Sequence, residues 1–197
     1  VALNTYGLEP EEVAKLLTRD GRFGIVEVDP FVTTPTPTVT ANSYGDASAQ
    51  STNDPSSDYT GFYMGSASES PVGLGIYEAW DAVGYEKSDN PVDVVVLDSS
   101  FFENEDVPYF GGRNFSTTKL REDEGFQQRS DDYSPDELQV EEGLCTGHGL
   151  GVASVIGGTI NNGIGSAGFT NDVNLHAIRT MSCGSGYFSD SIDAIKW

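Results

Sequence analysis

Two residues stand where proton-transfer chemistry could be built. Asp98 ends a run of apolar, mostly β-branched residues, Val92-Asp-Val-Val-Val-Leu97. His148 stands between two glycines, just ahead of the small-residue run Val152-Ala-Ser-Val-Ile156. Taking a proton from a serine hydroxyl needs an imidazole that titrates near neutrality, and a carboxylate that fixes the ring's tautomer and steadies its cation. A carboxylate on a rigid strand end and a His on the first turn of a neighbouring helix meet that need. Each residue taken alone also fits a plainer role, Asp98 as a loop cap and His148 as a packed helix start. The other histidine, His176, lies in an apolar strand pattern and reads as a satisfied core side chain. Cys145 and Cys183 belong to no Cys-x-x-Cys pair, so a zinc site has little support. They fit a disulfide of a secreted protein, and equally two buried thiols.

The elements that would position these residues follow from periodicity. Val92–Leu97 reads as a strand buried on both faces, as in a parallel sheet, which puts Asp98 at its carboxyl end, where open α/β sheets place their sites. Ile76, Ala79, Trp80 and Val83 recur at helical spacing before Gly84. Val173, Leu175, Ala177 and Ile178 predict a strand, and Ser189 to Trp197 a helix with Ile192 and Ile195 inward. The acidic stretch 103–143 reads as a long surface loop with room for short strands. The alternation argues for an α/β fold with a mostly parallel sheet flanked by helices. Ahead of it, Pro10–Leu17 predicts a helix with Glu11 and Glu12 in its first turn, and Phe23, Ile25, Val26 and Val28 predict a strand ended by Pro30. Residues 33–58 are rich in Pro, Thr, Ser and Asn and read as a linker or processing region that buries little.

Composition narrows the function classes. The 197 residues carry 31 acidic and 10 basic side chains, a formal charge of −21. That excludes a nucleic-acid partner, whose phosphates would be repelled. It fits a solvated surface, with a saline habitat or bound calcium as sharper readings. No apolar run approaches the ~20 residues that cross a bilayer, so no membrane association is expected. The sequence starts at Val1 without an initiator Met and stops at Trp197 inside an expected helix, so both ends are expected to be cuts.

The motifs then carry a resemblance. Val94-Val-Val-Leu-Asp98-Ser resembles the aspartate motif of the subtilisin-like serine proteases, the subtilases. Gly147-His-Gly-Leu-Gly-Val-Ala153 resembles their histidine motif, and Asn161-Asn-Gly-Ile-Gly-Ser-Ala-Gly168 the loop that follows it. Leu175-His-Ala-Ile-Arg179 is similar to the next strand, and Gly184-Ser-Gly-Tyr-Phe-Ser-Asp-Ser-Ile to the substrate-binding segment with its helix. Asn53-Asp-Pro and Gly75-Ile-Tyr-Glu-Ala-Trp80 resemble the start of a mature subtilase, and residues 1–32 the last helix and strand of a subtilase propeptide. Asp before His is the family's order. Ser100, Leu150, Gly151 and Ser154 depart from the motifs.

The resemblance implies three segments: the end of an inhibitory propeptide (1–32), a linker or processing region (33–58) and the N-terminal part of a catalytic domain (59–197). It implies a secreted serine endopeptidase that acts on protein or peptide substrates, with Asp98 and His148 catalytic and the serine beyond Trp197, so that these residues alone would be inactive. The chain's own propeptide would be its inhibitor. Gly184, Ser185 and Gly186 would pair with a peptide and Phe188 would line a specificity pocket. Cys145 and Cys183 would border the same cleft and could bond. A structural calcium would take Asp106, the side chain of Asn162 and the carbonyls of Ile160, Ile164 and Ser166. A catalytically impaired subtilase and a calcium-binding surface domain are the alternative readings.

Overall fold

The computed structural model describes residues 7–20, 22, 26–33, 52–56, 60, 63–65, 73–117, 133–134 and 145–197. Its centre is a parallel sheet of β2 (Val92–Asp98), β4 (Val173–Arg179) and β3 (Tyr109–Asn114), in the order β2-β4-β3. Val96 pairs with Ala177 and Asp98 with Arg179 along β2 and β4. Successive strand residues face opposite sides, and the packing follows that alternation. Val96 and Ala177 pack with Phe101, Val107, Leu175 and Ala153, the last from helix α3 (His148–Gly157). Their neighbours Leu97 and Ile178 pack with Phe115 and with Ala194 of helix α4 (Phe188–Lys196). The sheet is thus covered by α3 on one face and α4 on the other, but the expected burial of β2 on both faces holds only at its carboxyl end, since Val92 and Val95 are exposed.

Helix α3 comes close to the sheet because its buried positions are Gly149, Ala153 and Gly157, four residues apart and on one face. A Cβ at Gly157 would lie 2.7 Å from a methyl of Val173. A third cluster joins Met64, Ile160 and Ala167 to helix α2 (Ile76–Val83), where Trp80 donates its indole N–H to the Phe169 carbonyl at 2.6 Å.

The N-terminal unit departs from its expected form. Helix α1 (Pro10–Asp20) forms as predicted. The strand expected within 23–28 is absent over its described part, 26–28, and β1 is instead Phe31–Thr33, beyond Pro30. Its cause is tertiary: β1 pairs antiparallel with β5 (Ser185–Tyr187), Phe31 opposite Tyr187 and Thr33 opposite Ser185. Thr33 therefore belongs to a strand and not to the linker. Within the stretch expected to bury little, Asp54 is an exception at 2% exposed, while its neighbours Asn53 and Pro55 are exposed.

Candidate active site

Asp98 is the last residue of β2, and its side chain is 10% exposed. Its Oδ1 accepts the Ser99 backbone N–H at 2.7 Å and the Ser99 hydroxyl at 3.2 Å. His148 is the first residue of α3, and Gly147 before it takes a left-handed φ of 71°, a conformation that favours glycine. The helix start is tied to the strand end by Leu150 N–H donating to the Ser100 carbonyl at 3.1 Å. This places His148 Nδ1 2.8 Å from Asp98 Oδ1 and 3.0 Å from Oδ2. A carboxylate at Nδ1 holds the proton there and leaves Nε2 as the nitrogen that can accept one. The imidazole side chain is 36% exposed, so the pair has a buried acid and a reachable base.

The motif departures leave this pair intact. Leu150 packs against the core cluster, Gly151 faces open space, and the Ser154 hydroxyl donates to the Gly151 carbonyl at 2.8 Å. Ser100 is 1% exposed, and its hydroxyl has no partner among the described residues.

The turn into β5 is tied to the segment that leads into His148. Cys145, three residues before His148, is disulfide-bonded to Cys183, with Cα atoms 4.6 Å apart. Cys183 and Gly184 both take positive φ, 46° and 108°, and Ser182 bridges Ser185 to close the turn. Ser185 and Gly186 then run extended, and β1 lies along them. Phe188, 51% exposed, opens α4 and gives its N–H to the Pro30 carbonyl at 3.1 Å. It lines neither the cavity of about 380 Å³ beside Tyr109 and Val173 nor that of about 480 Å³ beside Glu103 and Tyr133.

Residues 57–197 match the sequence profile of the Subtilase family. The chain belongs to that family. No curated protein matches it. Among solved structures it is similar to a protease from Pseudoalteromonas arctica PAMC 21717, with TM-score 0.56 and 26% identity over 75% of this chain and 44% of that one. The subtilase chain thus spans less than half the length of that protease. The family places it among the subtilisin-like serine proteases.

A second cluster in this subtilase centres on the loop 160–166. Asp106, 6% exposed, accepts the Asn162 side-chain N–H on Oδ1 and the Ser166 backbone N–H on Oδ2, each at 3.0 Å. Asn162 Oδ1 accepts Ile164 N–H at 2.9 Å. Among the described residues no group of three or more His, Cys, Asp or Glu could hold a metal. A cation here would therefore rest on one carboxylate, one amide oxygen and carbonyls such as those of Ile160, Ile164 and Ser166. That all-oxygen set suits calcium. It requires the Asn162 amide to turn its oxygen toward Asp106, which gives up its hydrogen bonds to Asp106 and from the Ile164 N–H.

The loop's other anchor escaped the sequence reading. Asp54 accepts the backbone N–H groups of Asn161, Asn162 and Gly163 at 2.9, 3.1 and 3.1 Å, and Asn53 Oδ1 accepts that of Gly163 at 2.9 Å. The signal was present in Asn53-Asp-Pro, a turn-forming triplet inside a polar stretch. His176 also finds a partner, with Nε2 3.1 Å from Asp93 Oδ1. That hydrogen bond holds the exposed Asp93 carboxyl below its ordinary range.

Proposed function

We propose that this chain is the N-terminal part of a secreted serine endopeptidase in which Asp98 orients His148, and His148 serves a serine supplied beyond Trp197. The observation that carries the reading is the His148 Nδ1 to Asp98 carboxylate distance of 2.8 Å. In the reaction, His148 Nε2 takes the proton of the serine hydroxyl as that oxygen attacks the peptide carbonyl. The Asp98 carboxylate stabilises the imidazolium, and His148 then gives the proton to the leaving amine. Water repeats the cycle on the acyl-enzyme.

The peptide would pair with β5 through Gly184, Ser185 and Gly186, as an added strand on a sheet edge. β1 lying along Ser185 and Gly186 supports that use of the edge, and supports residues 1–32, extended to Thr33, as an inhibitory propeptide segment bound to its own enzyme. The Cys145–Cys183 disulfide supports an oxidising, extracellular setting. Asp106 and Asn162 would hold a structural calcium that stiffens loop 160–166.

The deciding experiment is His148→Ala in the full-length protein, assayed by peptide hydrolysis. Removing a triad histidine costs roughly four to six orders of magnitude in kcat. A loss below about tenfold would sink the reading and leave the impaired subtilase fold in its place.

A further inference from the structure

The acidic stretch 103–143 meets the core again far from its start, at Tyr133 and Ser134. Gly112 of β3 pairs with Ala177 of β4, whose side chain faces α3. A Cβ on Gly112 would fall inside contact distance of a Tyr133 ring carbon, so the ring takes the space a side chain there would fill. The same ring meets Tyr109 and Phe101 edge-on, with centroids 5.5 and 6.3 Å away. Arg179, 6% exposed and opposite Asp98 in the register, fixes the next residue: its Nη1 donates to the Ser134 carbonyl at 2.6 Å. Its Nε donates to the Met181 carbonyl at 3.2 Å, so one planar guanidinium spans both anchors.

The path from this anchor to His148 is short. Phe101 is wholly buried. Its ring would stand 2.9 Å from a Cβ on Gly149, the residue after His148, so it already abuts the first turn of α3. Tyr109 and Tyr133 each meet that ring edge-on. Tyr109 is fixed by β3, whereas Tyr133 comes from outside the sheet and its two covering helices. A ring in a close-packed interior stays in place because its neighbours fill the space beside it. Phe101 thus braces the start of α3, and Tyr133 helps to brace Phe101.

We propose that Tyr133 is a positioning residue for His148, acting through Phe101, and that Arg179 seats it by binding the Ser134 carbonyl. The inference rests on His148 being the base of the reaction. It gives the acidic stretch an influence on rate that a solvated surface loop would not have.

The test uses the full-length protein, well below its thermal midpoint. Tyr133→Ala should lower kcat about tenfold with KM within about twofold, the cost of moving the base by roughly half an ångström. Tyr133→Leu, a smaller trim less prone to misfolding, should fall between that and the parent. Tyr133→Phe keeps the ring contacts and should stay within about twofold of the parent. With Phe101→Leu already in place, Tyr133→Ala should cost less than about threefold, because the two residues act in series. Arg179→Lys loses the planar fork and should lower kcat about threefold, but less than about twofold once Tyr133 is Ala. A Tyr133 that only stabilises the fold would lower the midpoint and leave kcat unchanged. A second readout needs no turnover. The low-field proton NMR signal of His148 Nδ1–H, which its carboxylate partner produces, should shift or broaden in Tyr133→Ala and stay in place in Tyr133→Phe. An unmoved kcat in Tyr133→Ala, losses that add fully to those of Phe101→Leu, or an unchanged His148 signal overturns the proposal. A protein that cleaves no peptide fails the endopeptidase reading alone, since the Nδ1–H signal still reports where His148 stands.

Discussion

Substituting alanine at two glycines of one helix separates the positioning of His148 from helix stability. A Cβ at Gly149 would stand 2.9 Å from two ring carbons of Phe101 and 2.9 Å from the Ser100 carbonyl oxygen. The ring is wholly buried, and the carbonyl belongs to the backbone two residues after Asp98. Relief to ordinary contact asks for roughly half an ångström, and neither neighbour can give it alone in a close-packed interior. The start of α3 must move, carrying His148 away from Asp98. Overpacking of this kind costs about 1–3 kcal/mol in stability. Misplacement by about 1 Å costs about a hundredfold in rate, so half of that corresponds to about tenfold. At Gly151 an added Cβ meets nothing within 4 Å. There alanine should stabilise the helix by about 0.5–1 kcal/mol and leave the rate within twofold. The assay is kcat and kcat/KM for peptide hydrolysis by the two full-length variants, with thermal midpoints alongside. Equal rates for Gly149→Ala and Gly151→Ala would refute the claim that the small-residue face of α3 sets the His148 position.

Three further outcomes follow from the same geometry. Replacing Cys145 and Cys183 by serine opens a cross-link of sequence separation 38, worth about 4 kcal/mol in the chain-entropy model, and should lower the thermal midpoint by several degrees; an unchanged midpoint would mean that the strands hold the turn without it. Asp93 has a lowered folded pKa, chiefly from its hydrogen bond to His176, so its contribution is present above the unfolded carboxylate pKa and lost as pH falls through the folded value. Asp93→Asn should therefore flatten the acid limb of the stability–pH curve and leave the neutral-pH rate untouched, and a curve of unchanged slope would refute this. Millimolar calcium should raise the thermal midpoint of the full-length protein relative to a chelator, and Asp106→Ala should abolish that rise; a midpoint that calcium does not move removes the site.

What the sequence made legible was whatever repeats locally. Helix α2, strand β4 and the core-facing residues of β2 announce themselves by apolar periodicity, and Asp98 and His148 by the elements they end and begin. Strand β3 is allowed for among the short strands of the acidic stretch but not located there, because Tyr109-Phe-Gly-Gly-Arg-Asn114 lacks β-branched residues and alternation. It is a strand because β4 offers it a parallel partner. β1 was missed for the same reason, since Phe31–Thr33 is extended only against β5. Asp54 is the sharpest case. An acid in a polar stretch reads as solvated, yet three backbone N–H groups of a loop over a hundred residues away converge on it. A run of N–H groups with no local acceptor demands a distant one, and the loop Asn161-Asn-Gly, with left-handed φ at Asn161 and Gly163, creates that demand. The Asp98–His148 pair was legible because one member ends a periodic element and the other begins one. Strands β1 and β3 and Asp54 were not, because each of them is defined by a partner far away in the chain.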